Sequence, residues 1–251
     1  MSSGLISSRS TPAKATGLHA KASPDFAAKL ALTEALLQRA AGDFQPVSQA
    51  SSLGAEDVII THIINRMRLE IPVFVLETGA LHNETQALLE RTLALSRVPV
   101  TVYRPEQETV LRFIRKEGQD AMYKSIELRK ACCNIRKMEP LRRALKGQKA
   151  WITGLRQEQS SARAEVPLHD DSEVAGKGLH KFNPLVKWTW GDVWHYIAGH
   201  EVDYNPLHDR FFPSIGCAPC TRAISLGEDF RAGRWWWEDE TAKECGLHVK
   251  K

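Results

Sequence analysis

IPVFVLETG at residues 71–79 places an apolar run directly before a polar turn. The run at 71–76 does not alternate between apolar and polar residues, so it predicts a strand that is buried on both faces. Residues 77–79 predict a turn, and the residues after it favour a helix over 82–95. A buried strand joined to a helix by a short turn is typical of a parallel sheet covered by helices.

The same alternation of strand and helix extends on both sides of this unit. Because the links are short, it predicts an α/β fold whose twisted, mostly parallel sheet has helices on both faces. The other strands are predicted at 46–50, 98–103 and 150–153. Helices are predicted from Ser23-Pro24 onward and over 56–68, 107–116, 126–145 and 188–198.

The composition is that of an ordinary globular protein, with 43% hydrophobic and 25% charged residues among 251. No apolar run approaches the ~20 residues that cross a bilayer. The 34 basic and 30 acidic residues give a net charge of +4, which is too small to indicate nucleic acid. We therefore expect a cytoplasmic protein with no membrane or nucleic-acid partner. The net positive charge is still compatible with a small anionic substrate.

The N-terminal residues 1–24 differ from the rest of the chain. They contain no acidic residue and are rich in Ser, Ala, Thr and Lys. This composition fits an organelle transit peptide and also a disordered leader. We favour the disordered leader and expect the folded domain to begin at residue 25.

The five cysteines fall into a doublet, Cys132-Cys133, a Cys-x-x-Cys motif, Cys217 to Cys220, and a single Cys245. A disulfide scaffold is disfavoured, since five is an odd number and few for 251 residues. The two pairs suit a soft metal centre, either zinc or an iron–sulfur cluster. Adjacent side chains diverge on most backbones, so the doublet favours the larger cluster. Cys245 lies in a polar tail, where an accessible thiol suits a nucleophile.

Three loops follow predicted strands and would meet beyond the strand carboxyl ends, where ligands bind in such sheets. Residues 51–57 offer hydroxyls and the positive end of a helix to an anion, although Ser and Asp there are also ordinary caps. Residues 77–79 suit a ribose or a base edge, or only a turn. Residues 153–163 present two arginines that suit phosphate or sulfate oxygens, or a solvated loop. The candidate substrate-binding residues are Ser51, Ser52, Gly54, Glu77, Thr78, Gly79, Gly154, Arg156 and Arg163.

Six stretches together resemble the adenylyl-sulfate and phosphoadenylyl-sulfate reductase family, and they span nearly the whole chain after residue 24. They are SSLGAED at 51–57, LETG at 76–79, CCNIRKMEPL at 132–141, TGLRQEQSSAR at 153–163, GCAPCTR at 216–222 and RWWWEDETAKECGLH at 234–248. The resemblance implies an adenine nucleotide α-hydrolase-like fold. The two cysteine pairs mark the iron–sulfur-containing bacterial type, which uses mostly adenylyl sulfate in assimilatory sulfate reduction. This implies one 4Fe-4S cluster per subunit, bound by Cys132, Cys133, Cys217 and Cys220.

In this family the cysteine of the tail, here Cys245, attacks the sulfate sulfur. The resemblance thus implies that Cys245 displaces AMP and becomes an S-sulfocysteine. Thioredoxin, or a glutaredoxin-like protein, then discharges it with release of sulfite. The negative sulfate oxygens need cations or donors beside them, and the candidates are Lys137, Arg231, Arg234 and His248.

The resemblance also divides the chain after its leader into two parts. Residues 25–230 are expected to form the sulfonucleotide-binding domain with the iron–sulfur site, and 231–251 a mobile catalytic tail. The three successive tryptophans at 235–237 cannot all face one core, so we expect them to anchor the tail on the domain.

Other functions stay as alternatives at this point. The 3'-phosphorylated (phosphoadenylyl) form of the substrate stays an alternative to adenylyl sulfate. A homo-oligomeric state also stays an alternative to a monomer. A related ATP pyrophosphatase that thiolates RNA would need a Ser-Gly-Gly-x-Asp-Ser type loop and a more basic surface, and the chain has neither. A zinc module that binds nucleic acid is the third alternative.

Overall fold

The computed structural model describes residues 13–160, 163–171 and 178–238. Their strands are β1 (Val47–Ser51), β2 (Val73–Leu76), β3 (Val100–Tyr103), β4 (Ala150–Ile152), β5 (His169–Asp170) and β6 (His180–Phe182). They form one sheet in the order β3-β2-β1-β4-β6-β5. All neighbouring strands are parallel except β5 and β6 at one edge. β1 is central, with Gln49 facing Val73 on one side and Ile152 on the other.

The described helices are α1 (Ala15–His19), α2 (Phe26–Asp43), α3 (Ala55–Met67), α4 (Asn83–Leu95), α5 (Gln107–Glu117), α6 (Ile126–Cys133), α7 (Glu139–Leu145) and α8 (Trp190–Gly199). They cover both faces of the sheet, because successive strand residues point to opposite sides. Val75 packs into the larger core, which includes Ile59 of α3 and Trp194 of α8. Phe74 packs into a smaller core with Leu141 of α7. No helix in this part of the chain is both long and apolar enough to cross a membrane.

The predicted fold class is confirmed, but one predicted helix is interrupted. The residues at 126–145 form α6 and α7, separated by the π-helical segment Asn134–Met138. Pro140 explains the interruption, since it has no N–H to donate and its ring crowds the preceding turn. The strands β5 and β6 were not predicted, because two or three partly polar residues give no readable alternation.

In contrast to the predicted leader, residues 13–24 are part of the fold. Ala15 is buried, and its backbone N–H donates to Asp209 Oδ1 at 2.7 Å. The N–H of Lys21 donates to the carbonyl of Gly191 at 3.2 Å. A Cβ at Gly191 would lie 2.3 Å from the Lys21 carbonyl oxygen, so only glycine permits this approach. The earlier part of the predicted leader lies outside the described residues.

Candidate active site

A cleft of about 220 Å³ opens at the carboxyl ends of β1, β2 and β4. Loops after neighbouring parallel strands meet at this edge, so ligands bind there in such sheets. The predicted site residues that line it are Ser51, Ser52, Gly54, Thr78, Lys137, Gly154, Arg163, Arg231 and Arg234. The predicted substrate-binding residues that do not line it are Glu77, Gly79 and Arg156, and the four cysteines predicted to bind the cluster do not line it either. Cys245 and His248 lie outside the described residues.

The first loop is organised by Asp57, a residue that the sequence suggested only as a helix cap. Its carboxylate accepts from Ser52, at 2.7 Å from the backbone N and 2.6 Å from Oγ. It also accepts from the backbone N of Gly154 at 3.1 Å. A Cβ at Gly154 would lie 2.4 Å from Asp57 Oδ1, so this contact requires glycine. Burial raises the pKa of Asp57 to about 6. The first and third loops are therefore joined through one carboxyl group.

Arg156 supports the third loop from behind the cleft. It is fully buried, and its Nε donates to Glu56 Oε1 at 2.8 Å. Its guanidinium lies over the rings of Trp190 and Phe230, at 5.3 and 5.6 Å from their centroids. Burial would raise the pKa of Glu56, but the charge and hydrogen bond of Arg156 outweigh it and lower the pKa. The predicted role of Arg156 in substrate binding stays a prediction, and its contacts favour a supporting role.

Arg163 is the arginine of the third loop that reaches the cleft. Its Nη1 donates to Gln159 Oε1. Gln159 Nε2 in turn donates to Glu56 Oε1 at 2.9 Å. This chain of hydrogen bonds holds a cationic side chain at the cleft wall, as an anion site requires.

The second loop connects the cleft to the cysteines through Thr78. Thr78 is buried, and its Oγ1 lies 3.3 Å from Cys217 Sγ. Its carbonyl accepts from Arg136 Nη1 at 2.7 Å. Glu77 and Gly79 form the turn itself, since the Gly79 N–H donates to Glu77 Oε1 at 2.7 Å and Gly79 has a φ of 68°. Arg136 was not among the predicted site residues, because one arginine in a basic helix carries no pattern.

The two cysteine pairs come from distant segments of the chain. Cys132 and Cys133 end α6, whereas Cys217 and Cys220 bracket a short loop whose backbone pairs with the residues after β2. All four are free thiols, and three of them are buried. Within the described residues, no three His, Cys, Asp or Glu side chains lie close enough to share one metal ion.

The groups that affect the pKa of Cys220 include thiols of both cysteine pairs, so these thiols lie near one another. Burial raises the pKa of Cys220 to about 12, and the nearby thiols of Cys217 and Cys132 act in the same direction. The cations Arg234 and Lys137 oppose this increase. Arg234 and Lys137 therefore lie near thiols of both pairs, although burial has the larger effect on the pKa of Cys220.

The tail root, defined as residues 231–238, packs against the loop that contains Cys217 and Cys220. Thr221 and Arg234 form an antiparallel bridge. The Arg234 guanidinium lies so close to Gly216 that a Cβ there would be 2.3 Å from Nη2. Trp235 is buried beside the cysteines. The tail root thus brings Arg231 and Arg234 to the cleft that Lys137 also lines.

The other two tryptophans of the tail root pack on the surface beside Trp235. The rings of Trp236 and Trp237 lie 6.3 and 4.5 Å from that of Tyr123. The Tyr123 hydroxyl donates to the Pro219 carbonyl at 2.5 Å. These contacts match the predicted anchor at 235–237.

His208 lines the cleft but had no signal in the sequence. It is buried, and its ring lies 5.3 Å from that of Trp194 and 6.0 Å from that of Trp190. Burial lowers its pKa to about 4, so its imidazole is neutral at pH 7. A histidine in a loop is compatible with many roles, so only the fold reveals this position.

Known proteins similar to this chain share one activity by name. A protein named adenosine 5'-phosphosulfate reductase from Burkholderia cepacia is 48% identical over 226 residues, which cover 90% of each chain. One of the same name from Allochromatium vinosum is 49% identical over 86% of this chain and 84% of its own. Another from Sinorhizobium fredii strain USDA 257 is 44% identical over 97% of this chain and 94% of its own.

Solved structures agree with the fold. A phosphoadenylyl-sulfate reductase from Candida auris superposes with a TM-score of 0.63 at 26% identity, covering 79% of this chain and 97% of its own. An FMN adenylyltransferase from Candida glabrata shares the fold alone, with a TM-score of 0.55 at 11% identity over 94% of this chain and 84% of its own. Residues 46–223 match the model of the phosphoadenosine phosphosulfate reductase domain. With more than half of its length matched and the cleft at the expected edge of the sheet, the chain belongs to the phosphoadenosine phosphosulfate reductase domain family.

Proposed function

We propose that this chain reduces adenosine 5'-phosphosulfate to sulfite and AMP, as an oxidoreductase of assimilatory sulfate reduction. The observation that carries the proposal is a cleft lined by Lys137, Arg231 and Arg234 from two segments, with thiols of both cysteine pairs near Lys137 and Arg234. The names of the relatives from Burkholderia and Allochromatium support the choice of substrate. The alternative of an RNA-thiolating enzyme has no comparable support.

The cleft suits a sulfonucleotide because four cationic residues line it, namely Lys137, Arg163, Arg231 and Arg234. Ser51 ends β1, and Ser52 and Gly54 lie between it and the first turn of α3, where the helix dipole favours the nucleotide's negative groups. Lys137 and Arg234 are proposed to face the sulfate oxygens. These oxygens repel an incoming thiolate, so neutralising them lowers the barrier for attack at sulfur.

The proposed reaction has two stages. The Cys245 thiolate attacks the sulfate sulfur, the S–O bond to the phosphate breaks, and AMP leaves with the electron pair. The product is an S-sulfocysteine at Cys245. One thiolate of a dithiol protein such as thioredoxin then attacks Cys245 Sγ and releases sulfite, and its second thiol resolves the mixed disulfide. The two electrons thus come from the dithiol, and Cys245 is regenerated.

Cys132, Cys133, Cys217 and Cys220 are proposed to bind one 4Fe-4S cluster. The residues present fit such a group, since buried thiols from both pairs share a neighbourhood with Arg234 and other cations. When bound, the cluster supplies a fixed charge beside the sulfate site. Thr78, between Cys217 and the cleft, connects the two regions.

A single-turnover experiment tests this function. Wild-type protein mixed with adenosine 5'-phosphosulfate and no reductant should release about one AMP per subunit and gain the mass of one sulfonate on Cys245. Reduced thioredoxin should then release sulfite. A parallel reaction with the 3'-phosphorylated substrate measures the substrate preference, and we expect the unphosphorylated form to react faster.

Cys245→Ser is the matched variant for this experiment. It should keep its iron content and its affinity for AMP but form no adduct, because a neutral hydroxyl is a far poorer nucleophile than a thiolate. Sulfite released by this variant with a chemical reductant would contradict the mechanism. An adduct on another residue of the wild type would contradict the assignment of Cys245.

A further inference from the structure

A buried ion pair connects the tail root to the helix of the cysteine doublet. Arg129 in α6 donates to Glu238 through Nε at 2.9 Å and through Nη2 at 2.6 Å. The side chains of Arg129 and Glu238 are only 1% and 3% exposed. Two parallel N–H···O bonds fix both the distance and the angle between the partners.

The same guanidinium also packs on the tail root. Arg129 lies 4.6 Å from the ring centroid of Trp235, and Arg234 lies at the same distance from that ring. Trp235 in turn packs with Cys217 and Cys220. Arg129 therefore fixes two residues of the tail root on the cysteine region at once.

A buried ion pair is weak evidence for stability, because removing both charges from water offsets most of their attraction. It is better suited to fixing one arrangement among several. Glu238 precedes Cys245 by seven residues, which span at most about 25 Å when extended. The point at which Glu238 is fixed therefore limits where the thiol can reach.

The length of the tether, which is the chain between the fixed residue and Cys245, has only a small effect on the effective concentration of the thiol. If the chain were released back to Gly233, the tether would grow from seven residues to about twelve, and the effective concentration of the thiol would fall only about twofold. Orientation has a larger effect, because the same tail root holds Arg231 and Arg234 at the cleft. A displacement of about 1 Å at a reacting centre can reduce a rate a hundredfold.

We propose that Arg129 and Glu238 are positioning residues for the transfer of the sulfonate group to Cys245. Their ion pair holds the tail root so that its arginines face the substrate and the tail starts at a fixed point. This inference rests on the proposed function of Cys245.

The test compares Glu238→Gln with the wild type in single-turnover reactions. The amide keeps the shape of the carboxylate but loses its charge, so we expect AMP release at saturating substrate to slow about tenfold. Iron content and affinity for AMP should stay within twofold of the wild type. Arg129→Lys, which keeps the charge but not the paired hydrogen bonds, should give an intermediate rate. The double variant Arg129→Lys/Glu238→Gln should be no slower than the slower single variant, since both changes break one contact.

Arg91→Gln is the matched control, because Arg91 forms an exposed ion pair with Asp203. It should react like the wild type. A wild-type rate in Glu238→Gln would overturn the proposal, as would equal losses in rate, iron content and AMP affinity. If Glu238→Gln does not fold, the rate of AMP release by Arg129→Lys is the test, and a wild-type rate in that variant would overturn the proposal. Failure of the proposed function itself would be visible separately, as a wild type that forms no adduct on Cys245.

Discussion

Asp57 and Gly154 show how single residues join the loops of the site. The glycine was predicted from its place after a strand, but the sequence did not indicate why glycine is needed there. The reason is the 2.4 Å approach that a Cβ would make to Asp57 Oδ1. Asp57 was assigned only as a cap, because a carboxylate near a helix start usually is one. Its partner is 97 residues away, so only the fold could reveal this contact.

The buried carboxyl group of Asp57 predicts a pH effect on stability. Because burial raises its pKa from 3.8 to about 6, the folded state keeps a proton that the unfolded state releases between these values. The free energy of unfolding therefore falls as pH rises through this window, by up to about 3 kcal/mol, and the loss is complete somewhat above pH 6. Asp57→Asn removes the titration.

Urea unfolding of both proteins at pH 5 and pH 7 checks this. The wild type should lose free energy of unfolding between pH 5 and pH 7, whereas Asp57→Asn should not lose this contribution. Relative to the wild type, the variant should therefore be more stable at pH 7 than at pH 5. Asp43→Asn, at an exposed position on α2, is the control and should follow the wild type. A difference for Asp57→Asn that stays constant with pH would contradict the assignment.

At the scale of elements, the π-helical segment Asn134–Met138 sets the geometry beside the cysteines. A continuous helix was predicted over 126–145. The wider turn instead separates α6 from α7. Arg136 reaches the carbonyl of Thr78, while the adjacent Lys137 lines the cleft. Lys137 lines the cleft although the helix that carries it has a different form, and its predicted catalytic role stays a prediction.

Lys137→Ala tests the charge that this segment supplies. Lys137 is partly exposed, so we expect the variant to keep its fold and its iron content. Single-turnover release of AMP should slow about a hundredfold, because one positioned cation is lost from the sulfate site. Lys130→Ala, at an exposed position on α6, is the control and should react like the wild type. An unchanged rate for Lys137→Ala at saturating substrate would count against its role.

At the scale of the whole molecule, the site forms because the loops after neighbouring parallel strands meet at one edge of the sheet. The order of strands and helices could be predicted from the sequence, because buried strands and amphipathic helices differ in period. The predicted order of strands and helices was sufficient to place three loops at one edge of the sheet. Contacts across that edge could not be predicted, since Thr78 with Cys217 and Arg129 with Glu238 lie more than 100 residues apart. The sequence thus predicts which segments meet, and the structure identifies which atoms touch.

The proposed binding of one cluster by both cysteine pairs has a consequence for the stability of the whole molecule. Roughly 80 residues separate Cys133 from Cys217, so a shared cluster closes a long loop. By the chain-entropy argument for cross-links, closing such a loop stabilises the fold by about 4 kcal/mol. Arg234 and Lys137 lie near Cys220, so a negatively charged cluster bound there would also gain from their charges.

We therefore expect Cys133→Ser to lose its brown colour, its iron and its turnover, although the sheet itself is unchanged. Its unfolding temperature should fall by about 10 °C, since a chain of this size loses about 2 to 4 °C per kcal/mol. Absorbance, iron analysis and thermal unfolding measure these effects. Cys245→Ser controls for the loss of a thiol as such, because its cysteine lies outside both pairs, and it should keep both its iron and its unfolding temperature. A fully iron-loaded Cys133→Ser with wild-type stability would show that the doublet does not bind the cluster.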